Sequence, residues 1–511
     1  MIHNYVYSVG MQGLKGQIIR VEATVWDDKE QCIIIGLPDA SIKESKERIL
    51  NCLLSLGIDT NMKKITILLS PSDVKKQGTS YDVAMLLAVL QAMSNAPLQI
   101  PEKTCFIAAL TLDGHLTTFH SMIPTIHQAI LLGFKKIYIP PIDISPFLEI
   151  PDVELVRITH IKDLLSHLRG NSSLSEAELE LLPLETISNI PEETPYICFS
   201  AIRGHKQPKR ALTLAAAGGH HVLMTGPPGC GKSLLANAFH TILPDMTNEE
   251  KLEVFSIYQM AMEARHLSAR PPIRSPHHST SEGAIIGGGR YPRPGEISLA
   301  HRGVLFLDEL GHFPRRVIDT LRQSLETGIA VVNRVEGSNQ FPATINLIGA
   351  TNPCPCGYYG SNEKYCTCTE KMRLKYIMRI TGPIIDRIDF VLGLKNQGII
   401  KQTSSETSEE IRTKVAAARE MQRIRYGDNY TNSIVPVKLF ERKVTFSEAQ
   451  LSRVENFCFV EKLSSRSTMK VLRLARTVSD LEGDLSVTDQ AVTEALEWTR
   501  RAAYVHSTQL R

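Results

Sequence analysis

The chain has 511 residues, 43% hydrophobic and 22% charged, which is enough for about three packed domains. Its 57 Lys and Arg nearly cancel 54 Asp and Glu, so any polyanion contact must come from a local patch. Ten cysteines in a chain of this length argue against a secreted disulfide scaffold.

The first stretch, "MIHNYVYSVG", lacks the charged and apolar regions of a signal peptide. The longest apolar run, around "VAMLLAVLQAM", is too short to span a bilayer. A cytoplasmic protein with no membrane partner is expected. Residues 1–169 alternate strand-like runs ("QCIIIGLP", "KKITILLS", "KTCFIAAL", "KKIYIP") with helical ones ("SIKESKERILNCLLSLG", "SYDVAMLLAVLQAM", "IPTIHQAILLGF"), predicting a mixed α/β domain. Residues 170–197 read as an acidic linker, with six Glu and no Lys or Arg. Residues 198–395 alternate strand and helix again, and residues 396–511 read as all-helical, with four helical runs.

The strongest signal is "VLMTGPPGCGKSLLANAF". An apolar strand, Val222 to Thr225, enters a loop of Gly226, Pro227, Pro228, Gly229, Cys230 and Gly231, followed by Lys232, Ser233 and a helix. That is a P-loop in its strand–loop–helix context. The glycines let backbone N–H groups wrap phosphates, Lys232 reaches the β and γ phosphates, and the Ser233 hydroxyl serves Mg²⁺. ATP and Mg²⁺ are therefore the expected cofactors.

About 75 residues on, "GVLFLDEL" reads as a buried parallel strand ending in Asp308 and Glu309. Ligands bind at the carboxyl ends of such strands. Asp308 suits Mg²⁺, and Glu309 suits a base for the attacking water. The next apolar strand, "TINLIGATNP", ends in Asn352, whose amide would hold that water, or else simply shape the turn before Pro353. Further on, "GPIIDRIDFVLGL" offers Arg387 either as an ion-pair partner of its flanking aspartates or as a finger completing a neighbour's site. Arg466 and Arg473 lie on a C-terminal helix, where Arg466 is the candidate contact to nucleotide.

Taken together, "GPPGCGKS", "LFLDEL", "GATNP" and "GPIIDRID" resemble an AAA+ ATPase. "RSPHHSTSEGAIIGGGRYPRPGEISLAHRGVLFLDEL" resembles the segment shared by magnesium-chelatase I subunits. With "VEATVWDDKEQCIIIGLPDASIKESKERI", the resemblance narrows to the YifB/ComM family. It covers nearly the whole chain outside the linker. It implies an α/β AAA+ core with a helix-2 insert over about His266–Arg302, a pore-facing hairpin in "GIAVVNRVEGSNQFPATI", a helical lid and a homo-hexamer. It also implies a DNA-dependent motor that drives branch migration in natural transformation, with single-stranded or branched DNA and recombination proteins as partners. Chelatase-like or protein-remodelling motors are the rival classes. From Arg265 to Arg302 there are six Arg and two Glu, with no Lys or Asp, which fits phosphate contacts or an acidic face of a neighbouring subunit. Gly287 to Gly289 would form the tip, His277 and His278 would add hydrogen bonds, and Arg334 is the hairpin's cation.

By the same resemblance, residues 1–169 look like a Lon-protease-like domain, with Ser80 where the nucleophile would fall. No lysine lies between His115 and Phe134, where the basic partner would be, so peptidase activity is not expected. Ser80 is instead expected to cap the following helix. Lys63/Lys64 and Lys75/Lys76 are read as surface charge with phosphate contact as the alternative.

Finally, residues 354–368 hold Cys354, Cys356, Cys366 and Cys368 as C-x-C, nine residues, C-x-C. Four thiolates suit a closed structural Zn²⁺ site, with free thiols or a labile disulfide as the alternatives.

Overall fold

The computed structural model describes residues 5–93, 98–147, 150–170, 197–263, 265, 268–289, 292–334, 337–360, 364–381, 384–396 and 406–510. Residues 171–196 of the acidic linker, His266 and Arg290 lie outside them. The chain separates into two compact units, Met1–Ile190 with Asn248–Leu267, and Pro191–Thr247 with Ser268–Arg511. Among the described residues no helix is long and apolar enough to cross a membrane.

In the first unit, Tyr5–Gln12 and Lys15–Asp27 form an antiparallel hairpin, with Tyr5 opposite Glu22 and Gln12 opposite Lys15. Lys63–Ser70 extends the sheet antiparallel, and Gln31–Ile35 closes it in parallel. The helix Asp82–Met93 is buried at every position from Asp82 to Leu90. Its apolar residues run all round it, as a helix in a core requires. Asp82 is held there by Arg48, 2.8 Å away. A second, parallel sheet joins Thr104–Phe106, Lys136–Ile139 and Glu154–Arg157. The helix Asn248–Ala261, from the middle of the chain, packs in this unit and adds Leu252 to a core with Ile123, Ile126 and Phe134.

Ser80 is a correction to the expected helix cap. The helix begins at Asp82, and the buried Ser80 hydroxyl donates to the Val9 carbonyl at 3.3 Å. The Ser8 hydroxyl in turn donates to the Ser80 carbonyl at 3.2 Å. The serine thus ties the first strand to the helix entry. Lys63 and Lys64 pair with Asp27 and Asp28, while Lys76 is buried.

The second unit is built on a parallel sheet ordered Ile273–Arg274, Val304–Leu307, Asn346–Thr351, Val222–Thr225, Phe390–Gly393. Every residue of Val304–Leu307, Asn346–Thr351 and Val222–Thr225 is buried. Covered parallel strands need such unbroken apolar runs. Because the strands are parallel, the P-loop, Asp308–Glu309 and Asn352 all emerge at one sheet edge. Five helices follow: Ser408–Tyr426, Val437–Lys443, Glu448–Val460, Ser465–Glu482 and Asp489–Leu510. Thr407 with Glu410 and Ser447 with Gln450 form reciprocal capping boxes that start two of them. The short helix Val437–Lys443 is one more than the four runs read from sequence.

Candidate nucleotide site

The P-loop needs its glycines for geometric reasons. A Cβ on Gly226 would lie 2.7 Å from the Leu394 carbonyl and 2.8 Å from Cys230 Sγ. Gly229 and Gly231 have φ of +81° and +90°, where a side chain is strained. Lys232 opens the helix Lys232–Thr241 and is buried. Its Nζ donates to the carbonyls of Gly226 at 2.7 Å and Pro227 at 2.9 Å, and to Asn352 Oδ1 at 3.1 Å. Burial holds this ammonium below its ordinary pKa, opposed by Cys230, Asp308 and Glu309.

The Ser233 hydroxyl donates to Asp308 Oδ2 at 3.1 Å, so a hydroxyl and a carboxylate oxygen converge as hard-cation ligands do. Asp308 Oδ1 accepts the Glu309 N–H at 2.9 Å. Glu309 has φ of +52°, a left-handed backbone that costs a non-glycine residue roughly 1–2 kcal/mol. Its Oε2 lies 3.4 Å from His278 Nδ1. The His278 ring lies 4.0 Å from that of His277 and 5.6 Å from that of His312, centroid to centroid. His278 was read from sequence only as a hydrogen-bonding side chain of the basic insert. Its pairing with Glu309 arises because Ile273–Arg274 runs beside Val304–Leu307 in the sheet. Nothing in residue spacing signals that adjacency.

Arg387 and Arg466 are brought together elsewhere. Both pair with Glu326, Arg466 at 3.0 Å. They line a cleft of about 770 Å³ with Lys470 and Arg473, and no P-loop residue lines it. Arg387 is 8% exposed, and its Nε and Nη1 are buried without a hydrogen-bond partner among the described residues. Burial, with the charges of Arg466 and Arg322, pushes its pKa down to about 10. Arg473 donates to the carbonyls of Ser433 and Val435.

This architecture can be set beside known proteins. Residues 198–401 match the family model for the magnesium chelatase subunit ChlI, residues 21–143 match one for subunit ChlI of Mg-chelatase, and residues 405–499 match the ChlI C-terminal region. The competence protein ComM of Haemophilus influenzae is 33% identical over 497 residues, covering 96% of each chain. YifB of Escherichia coli is 32% identical over 499 residues, again 96% of each. The chain belongs to the ComM/YifB family of magnesium-chelatase-like AAA+ proteins. The magnesium-chelatase 38 kDa subunit of Cereibacter sphaeroides is 30% identical over 174 residues, only 30% of this chain.

In this ComM/YifB protein the cysteine loop follows Asn352 directly. All four thiol sulfurs lie within 4.8 Å of one another. Cys354–Cys356, Cys354–Cys366 and Cys356–Cys366 are separated by 3.3, 3.7 and 3.5 Å. Four sulfurs about 2.3 Å from a tetrahedral Zn²⁺ would stand roughly 3.8 Å apart, so the set fits such an ion. The loop also reaches the P-loop: a Cβ on Gly357 would lie 2.9 Å from Pro228 Cδ. The insert's charge is partly spent inside the protein. Arg274 makes a bidentate pair with Glu296 at 2.6 and 2.7 Å, Arg302 bonds Asn429, and Arg265 stacks over Tyr258. Gly287–Gly288 pairs with Arg293–Pro294 in a small hairpin, and Ile329–Arg334 pairs with Gly337–Pro342 in a longer one.

Proposed function

We propose that this chain is an Mg²⁺-dependent ATP hydrolase that assembles as a homo-hexamer and turns hydrolysis into movement on branched or single-stranded DNA. The observation that carries the reading is the convergence of Lys232, Ser233, Asp308, Glu309 and Asn352 at one sheet edge. Lys232 Nζ exchanges its loop carbonyls for β and γ phosphate oxygens, at little cost because it is already buried beside them. Ser233 and Asp308 would hold Mg²⁺, which when bound would supply positive charge against the phosphates. Glu309 takes a proton from water as the water oxygen bonds to the γ phosphorus and the bond from that phosphorus to the β–γ bridging oxygen breaks. Asn352 orients that water.

Arg387 completes the site of the next copy. Its Nε and Nη1, without a hydrogen-bond partner among the described residues and in a cleft free of P-loop residues, leave donors that a phosphate from outside the chain would satisfy. Arg466, beside it on Glu326, acts on the same neighbouring nucleotide. The four cysteines hold one structural Zn²⁺ that braces the loop between Asn352 and the P-loop.

The DNA substrate, and a role in branch migration during natural transformation, are supported by full-length similarity to a competence protein. The pairwise match to the magnesium-chelatase 38 kDa subunit of Cereibacter sphaeroides covers 30% of this chain, against 96% for the competence protein. The test is the ATPase rate of the purified protein with four-way or forked DNA, duplex DNA and no DNA. Branched DNA is expected to raise the rate most. A rate and an assembly state indifferent to DNA would instead favour a motor acting on a protein partner.

A further inference from the structure

The second unit carries a groove of about 1250 Å³ between helices Arg315–Thr327 and Glu370–Thr381. Nothing in the proposed hydrolysis site uses it. Its walls carry Arg322 from one helix and Lys371, Lys375 and Arg379 from the other. The last three are spaced i, i+4, i+8, which sets them on one stripe about 6 Å apart along the axis. All four are exposed, and none has an ion pair among the described residues. The groove's Asp319 is engaged by Arg315, leaving Glu370 as the other lining acid. The floor is apolar, with Ile318, Leu374 and Met378, and the Met378 side chain is 63% exposed.

We propose that this groove binds a single strand of nucleic acid, its phosphates on the Lys371–Lys375–Arg379 stripe and Arg322, its bases over the apolar floor. The inference rests on the DNA-motor reading and adds a second contact surface to it. Unpaired cations at helical intervals ask for a repeated anion, which a sugar-phosphate backbone supplies. An exposed apolar floor asks for faces that a duplex keeps stacked inside and a single strand leaves open. The groove starts at Leu310–Phe313, the turn directly after Glu309. A strand seated there would press on the backbone that aims the candidate base, a direct route from DNA occupancy to hydrolysis.

The test uses full-length protein carrying Lys375→Glu with Arg379→Glu, and a second variant, Lys371→Gln with Lys375→Gln. Binding of a fluorescent oligothymidine is followed by anisotropy across a salt series, with assembly followed by light scattering. Both variants should bind at least about tenfold more weakly at low salt. Losing two phosphate contacts should flatten the slope of log affinity against log salt by about 1.4. Unchanged affinity and slope, with wild type binding normally, would overturn the groove while leaving the motor reading intact. Lost assembly with unaltered strand affinity would overturn it too, marking the groove as a contact between copies. A wild-type protein that binds no DNA removes the motor reading itself.

Discussion

His278 and Glu309 define what the site does at the level of single side chains. In the proposed hydrolysis site, a carboxylate paired at 3.4 Å with an imidazole is not free to aim at water, so His278 would act as a brake on Glu309. A partly exposed pair of this kind is worth up to about 1 kcal/mol, or roughly a fivefold change in rate. His278→Ala should therefore raise turnover without DNA by up to about fivefold and leave the KM for ATP unchanged; a fall in turnover would show that His278 orients the base instead. Glu309→Gln should bind ATP normally and hydrolyse it about 10²–10⁴-fold more slowly, the usual worth of a general base. Retained single-turnover hydrolysis would remove Glu309 from that role. The P-loop, the acidic pair and Asn352 were legible in sequence because strand, loop and ligand types sit at fixed short spacings. His278 was legible only as a hydrogen-bonding side chain of the insert, since its partner is 31 positions away and reached through sheet order. Ser80 misled for a related reason: a serine before a helix looks like a cap, and only the tertiary position of Val9 redirects its hydroxyl.

At the level of elements, the loop that carries the four cysteines joins the Asn346–Thr351 strand to the P-loop through Gly357 and Pro228. Bracing by a metal would keep Asn352 and the P-loop in register. Purified protein should carry about one zinc per chain. Chelation, or Cys356→Ser, should lower thermal stability and raise the KM for ATP more than it changes binding of DNA. Clearly substoichiometric metal after metal-replete purification would rule the brace out. A second element-level joint is His221, next to the P-loop strand. Its Nδ1 accepts the Leu347 N–H at 3.3 Å, and its backbone N–H donates to Asp389 Oδ2 at 3.0 Å. Burial, with Asp389 opposing, holds the imidazole down to about 4, against about 6.5 when unfolded. The unfolded chain thus takes up a proton that the folded one refuses. Stability is fully present above about pH 6.5 and is lost as pH falls toward 4. Melting temperature should drop over that window, and His221→Gln should flatten the drop. Strand and helix runs were legible in most of the chain because their periods are local. The opening hairpin was not singled out, because apolar neighbours such as Tyr5–Val6–Tyr7 and Ile18–Ile19 blur the alternation of its strands. The helix Asn248–Ala261 reads as part of its flanking sequence, yet packs with Leu252 in the first unit's core. Only long-range packing decides that.

Across the whole molecule, the proposed action of Arg387 and Arg466 on a neighbouring copy rests on their lying in a cleft that no P-loop residue lines. Lys232→Ala and Arg387→Ala should each abolish most turnover, Arg387→Ala while keeping ATP binding. An arginine supplied to a neighbour's phosphate is worth about 10³-fold or more. Mixing the two inactive proteins should restore measurable hydrolysis, because some interfaces then pair an intact P-loop with an intact arginine. No recovery in mixed assemblies would place Arg387 in its own chain's site or outside catalysis. The family resemblance made the α/β core and the helical C-terminal region legible in advance. The pairing of both arginines on Glu326 was not, because Glu326 lies on a helix about 60 residues before the first of them. Hydrolysis measured with and without branched DNA tests the DNA-motor reading most directly. Steady-state ATPase with a four-way junction, at fixed salt, should exceed the rate with duplex or no DNA several-fold. Equal rates under all three conditions would contradict it.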